Sequence, residues 1–219
     1  MNNSEILFEN WCHVSGWSCQ KIQEEIKRTP DFRIIKNDLS VFAEVKEIIA
    51  NKEEKESLDL LSKGLCGVAC GELPGKTVRE KIKSAYPQIK RFSSAESCSG
   101  VLVLYNNTGM AGLGRIDHYH VLTAMFGLQT ITLSVQHKPE MEVTESGEYL
   151  GSKESVSENR NTYLSAILTL YEHHDRGLIA LIYHNPYAKY PLRYDLCDTA
   201  QTTQYKLCNK VDNWVLATK

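Results

Sequence analysis

The chain has 219 residues, 42% of them hydrophobic, enough for one sizeable core. No run reaches the roughly 18 apolar residues that mark a membrane span. The formal charge of −2, from 25 basic and 27 acidic residues, excludes a protein that coats nucleic acid by bulk charge and leaves room only for a local basic patch.

The first element is a helix over Ser4–Glu9, closed by Gly16. Glu5 stands three residues after Asn2, the spacing of a helix-capping pair, and Glu9 follows one turn later on the same face. A strand is expected near Trp17–Ile22. After Pro30, the run Asp31–Ile35 carries β-favouring residues, because proline can start a strand but not sit inside a sheet. Lys36-Asn37-Asp38-Leu39 has turn chemistry, which assigns Asp38 a structural role, and Val41–Val45 returns as a second strand. Side chains alternate along a strand, so Glu44 and Lys46 share one face while Val41, Ala43 and Val45 share the other. A hairpin brings Asp31 to the Glu44 end, because both lie away from the turn. Two carboxylates and a lysine gathered in this way suit metal-dependent hydrolysis of a phosphodiester. Carboxylate oxygens hold Mg²⁺ or Mn²⁺, and an amine can orient the attacking water and stabilise developing charge.

Residues 47–75 insert a charged helix, beginning in Asn51–Glu56, and a glycine-rich loop expected to lie over the site. Gly75-Lys76-Thr77 imitates a phosphate-binding loop, but position 70 is Cys and no strand feeds it, so the ATPase reading fails. The next helix has an apolar stripe of Val78, Ile82, Ala85 or Tyr86, and Ile89. Its basic residues Arg79, Lys81, Lys83, Lys90 and Arg91 are the candidate nucleic-acid-binding patch. Pro87 predicts a kink or a restart just before Gln88. Val101–Tyr105 reads as a strand, the glycines at 109, 112 and 114 as a loop, and His118–Phe126 as a helix. Beyond it, Gln129–Gln136 alternates as a strand, 139–160 is a long loop or hairpin, and Tyr163–His173 is a helix with Leu164, Ile167, Leu168 and Tyr171 as its apolar side. Leu178–Tyr183 is a buried-type strand, Asn185-Pro186 a turn, and the tail is irregular. The pairs His118/His120 and His173/His174 lack metal-site spacing and are expected at the surface or an interface; His184 ends a strand, where a substrate contact is conceivable. Seven cysteines, an odd number with no zinc-finger spacing around Cys66 and Cys70, and an N-terminus without a secretory pattern fit a reducing cytoplasm.

Residues 1–105 resemble the PD-(D/E)XK nuclease superfamily. The resemblance rests on the glutamate-bearing first helix, Pro30-Asp31-Phe32, Ala43-Glu44-Val45-Lys46, the helix with Ala85-Tyr86-Pro87-Gln88-Ile89-Lys90, and the strand Val101–Tyr105. It implies an α/β, restriction-endonuclease-like core: a central mixed sheet flanked by helices, here with C-terminal αβ additions. The whole chain would be a single nuclease-like domain, its core at about 1–136 and its C-terminal extension at about 160–219. The resemblance makes Asp31 and Glu44, with the Val45 carbonyl, the holders of Mg²⁺ or Mn²⁺. Lys46 becomes the catalytic lysine, with Glu5 and Gln88 as auxiliary catalytic residues. The implied activity is cleavage of nucleic acid, most readily DNA, with RNA open. The alternative is a catalytically idle member that binds nucleic acid or protein. Nothing in the chain reads a base sequence, and its length implies a recruiting partner or a homodimer.

Overall fold

The computed structural model describes residues 2–23, 28–67, 73–108, 116–137, 141–150, 152–173, 175, 177–208 and 213–216. Helix α1 (Asn3–Val14) precedes strands β1 (Ser18–Lys21), β2 (Phe32–Lys36) and β3 (Leu39–Ile49). Helices α2 (Lys52–Ser62) and α3 (Lys76–Glu96) lead to β4 (Ser99–Asn107). Helix α4 (His118–Phe126) and the ribbon β5 (Gln129–His137) and β6 (Met141–Leu150) follow. The chain ends with β7 (Ala166–His173), β8 (Gly177–His184), a single 3-10 turn at Tyr194–Cys197, β9 (Thr202–Cys208) and β10 (Asn213–Leu216). The protein is thus α/β, with a mixed eight-stranded sheet in the order β1-β2-β3-β4-β7-β8-β9-β10. β3, β4 and β7 run parallel, and the outer pairs β1/β2, β2/β3, β7/β8 and β9/β10 are antiparallel.

The hairpin forms as expected. Asn37 and Asp38 both adopt positive φ, 49° and 62°, the conformation of a two-residue turn between Lys36 and Leu39. Asp38 is therefore held in the turn. Val41, Ala43 and Val45 pack with Phe8, Trp11 and Cys12 of α1 on one face of the sheet. On the other face Val78, Ile82, Ala85 and Ile89 of α3, with Val121 and Ala124 of α4, cover Leu102, Leu104 and Ile167. Burying both faces explains the continuous apolar run of β4. Gly100 lets α3 approach this closely: a Cβ there would lie 2.3 Å from Ile89 Cγ2 and 2.6 Å from Ser93 Oγ.

Several expectations are corrected. Tyr163–His173 is not a helix: β7 occupies the middle of the sheet between β4 and β8. Ile167, Leu168, Thr169 and Leu170 are all buried, so the segment shows no alternation, and its apolar spacing imitates a helical stripe. The tail is not irregular; β9 and β10 extend the sheet, so the C-terminal addition is strands with one 3-10 turn and no α-helix among the described residues. Of the two readings of 139–160, loop or hairpin, the hairpin holds: β6 pairs antiparallel with β5. α3 does not restart at Pro87; it runs unbroken from Lys76 to Glu96. The buried stripe on both sides of Pro87 anchors the helix to the sheet, and Pro87 itself is exposed, where water can serve the Lys83 carbonyl that loses its helical donor. His118 is half-buried against the rings of Tyr183 and Tyr205 rather than at the surface, while His184 does end a strand, β8, where it is buried with Nε2 2.9 Å from Gln204 Oε1. Gly75-Lys76-Thr77 merely opens α3. The loop expected over the site lies partly, and the glycines at 109, 112 and 114, Cys70 and His174 wholly, outside the described residues. Among those described, no helix is long and apolar enough to cross a membrane.

Candidate active site

β3 passes between β2 and β4, with Glu44 opposite Leu102 and Lys46 opposite Leu104. Both side chains rise on the α3 face. At its Asp31 end β2 leaves the ladder, and the Asp31 carboxylate takes its place: Val45 N–H donates to Asp31 Oδ2 at 2.7 Å. In a strand a residue's N–H and C=O point to the same edge, so the Val45 carbonyl is directed toward Asp31 as well.

Glu44 is fully buried, and Lys46 Nζ lies 2.5 Å from its Oε1. That contact is an ion pair at an angle poor for a hydrogen bond, and neither Glu44 oxygen accepts a well-directed one. Burial, and then repulsion from Asp31, push the Glu44 carboxyl up to about 7, against the opposing pull of Lys46 and of the Gln88 amide. Asp31 is also raised, first by burial, while its bond from Val45 and the nearby Lys46 pull it down. Fully buried Glu44, its proton affinity raised in part by half-buried Asp31, forms with it a pair of hard oxygen donors of the kind a divalent cation takes. Among the described residues there is no group of three or more His, Cys, Asp or Glu side chains that could hold a metal. Asp31, Glu44 and the Val45 carbonyl are the residues that could hold a hard cation, with water completing its shell.

The flanking elements converge on this pair. Glu5, in the first turn of α1, forms the capping box with Asn2 and also meets Lys21 Nζ at 2.5 Å. Its charge reaches Asp31, whereas that of Glu9 reaches Cys12. Glu5 thus caps its helix and also lies near Asp31. Gln88 projects from α3 beside Glu44 and donates from Nε2 to the Thr29 carbonyl at 3.2 Å, so Pro87 does not displace it. Sequence reasoning missed Lys21 and Thr29. The signal for Lys21 was the strand Trp17–Ile22: paired antiparallel with the next strand, it sets Lys21 opposite Phe32, one residue from Asp31.

The basic residues of α3 do not form one patch. Lys81 turns toward the acids, donating to the Glu47 carbonyl at 2.9 Å, with Lys46 near enough to lower its proton affinity, after burial. Arg79 is bound to the Pro74 carbonyl at 2.9 Å. Lys83 and Lys90 lie exposed on the far side of the helix, and Arg91 lies over the Phe92 ring at 5.3 Å.

Comparison of the chain with family models, with curated proteins and with solved structures returned no match.

Proposed function

We propose that this protein is a metal-dependent nuclease with a restriction-endonuclease-like core, acting on DNA. The observation that carries the reading is Glu44: a fully buried carboxylate beside Asp31 and in contact with Lys46. A carboxylate kept there at a cost in desolvation has no structural task that a leucine would not perform better. The element order supports the same reading, since the glutamate helix, the hairpin and the Gln88 helix all deliver a side chain to one place.

Asp31, Glu44 and the Val45 carbonyl would hold Mg²⁺ or Mn²⁺. The bound ion would neutralise phosphate charge and make a water more acidic. The remaining work belongs to the chain. The Lys46 ammonium, 29% exposed, presents its remaining N–H groups toward solvent, where they orient the attacking water and meet charge developing on the phosphoryl oxygens. Water oxygen bonds to phosphorus and gives up a proton to solvent as one ester P–O bond breaks, and the displaced oxygen takes up a proton from solvent. Gln88, fixed on the Thr29 carbonyl, positions the Glu44 carboxylate. Glu5 and Lys21 balance charge around Asp31.

Purified protein incubated with linear duplex, supercoiled circular and single-stranded DNA, with Mg²⁺, with Mn²⁺ and with EDTA, tests the reading. Cleavage of at least one form is expected, lost in EDTA and in Asp31→Ala. Cleavage that Asp31→Ala leaves intact would refute it.

A further inference from the structure

The side of α3 turned away from the acids borders a second cleft. It encloses about 450 Å³ between the helix and residues 152–161, the size of a single nucleotide unit. Arg79, Lys83, Lys153 and Arg160 line it against one acid, Glu154. Two of the four cations are committed to protein: Arg79 to the Pro74 carbonyl, and Arg160 to the Glu154 carbonyl at 2.7 Å, with the Glu154 carboxylate 3.8 Å away. Lys83 and Lys153 are exposed and have no acidic partner among the described residues. Lys153 sits at φ +78°, a region that favours glycine, so the fold holds a lysine in a strained conformation at the mouth of this cleft.

The wall also carries one ring, that of Tyr86. Tyr86 is half-buried, packed against the core cluster and lining the cleft beside exposed Pro87. One turn further, Lys90 and Lys189 flank the Tyr163 ring at 5.9 and 5.3 Å. A cation-lined cleft with one ring in its wall matches a single strand, whose phosphates meet the charges and whose unpaired bases stack. A duplex keeps its bases stacked on one another and offers the ring nothing.

We propose that this cleft holds single-stranded nucleic acid, with Lys83 and Lys153 on phosphates and Tyr86 under a base, as a strand-holding site separate from the Asp31/Glu44 centre. The choice of ligand rests on the nuclease reading; the site does not.

The test is binding in EDTA, where no cleavage occurs, measured by anisotropy of a short fluorescein-labelled DNA single strand and of the same strand in a duplex. Wild-type protein is expected to prefer the single strand. K83E/K153E is expected to lose about ten-fold or more in affinity and to show a shallower salt dependence. Y86L is expected to lose roughly ten-fold. K83E alone changes one exposed helical residue and guards against misfolding of the double variant. Unaltered affinity in K83E and K83E/K153E overturns the proposal even if the wild type cuts DNA. Lost affinity in those variants upholds it even if the wild type cuts nothing. A wild type that binds no strand, that prefers the duplex, or that releases DNA equally to poly-glutamate also overturns it.

Discussion

Above neutral pH, Glu44 carries its charge against both burial and Asp31, and the folded state bears the cost. Its folded carboxyl lies near 7 instead of the ordinary 4.5. Between those values the folded protein keeps a proton that the unfolded chain releases, so stability falls as pH rises through the window. The difference corresponds to ~3 kcal/mol. Asp31, also raised, adds loss of the same sign starting from its own ordinary value of 3.8. Glu44→Gln is therefore expected to be more stable than wild type at pH 8, by up to about 3 kcal/mol, and to match it near pH 4.5. Urea melts at the two values measure this; equal stability at pH 8 contradicts it. Mg²⁺ is expected to raise the wild-type melting temperature at pH 8 and to leave Glu44→Gln unmoved, since only an ion bound by the native site stabilises it. The meeting of Asp31, Glu44 and Lys46 was legible because strand alternation and a two-residue turn fix which side chains come together. Lys21 was not, because its place depends on the pairing register of a four-residue strand in which it carries no distinguishing neighbour.

α3 links the two sites, with Gln88 and Lys81 on one side and Lys83 and Tyr86 on the other. Its seat on β4 depends on Gly100, where any side chain collides with Ile89 and Ser93. Gly100→Ala is expected to cost about 1–3 kcal/mol in a denaturant melt and to impair cleavage through displacement of Gln88. Pro87 acts in the opposite sense. Pro87→Ala restores the backbone bond to Lys83 and should stabilise the protein by up to ~3 kcal/mol, measured the same way. Failure of this gain would mean that the helix relies on Pro87 for its path. The stripe Val78, Ile82, Ala85, Ile89 was readable because helix period survives when one face is solvated. β7 was misread for the converse reason: covered on both faces, it loses the alternation that marks a strand.

Across the whole molecule, the sheet joins segments far apart in sequence. Residues 1–105 contain every acid of the candidate centre, yet β4, which underlies them, is completed only by β7. Leu168, Leu170 and Ile182 enter the core cluster with α1, and Ile167 and Tyr183 that with α3. A protein truncated after residue 136 is therefore expected to lack the cooperative melt of the full chain, which calorimetry or circular dichroism would show; a sharp native-like transition in the fragment contradicts this. Such long-range completion leaves no local mark, which is why the order of strands beyond β4 was hidden while the first hairpin was plain.

Lys46 offers the most direct test of the central claim, because its side chain is partly exposed and removing it leaves the acids in place. The measurement is the single-turnover rate of cleavage, with Mg²⁺, of whichever DNA form the wild type cuts. Lys46→Ala is predicted to be slower by at least about 10²-fold, with a native-like melt. A rate within about two-fold of wild type would contradict the assignment of Asp31, Glu44 and Lys46 as the catalytic centre.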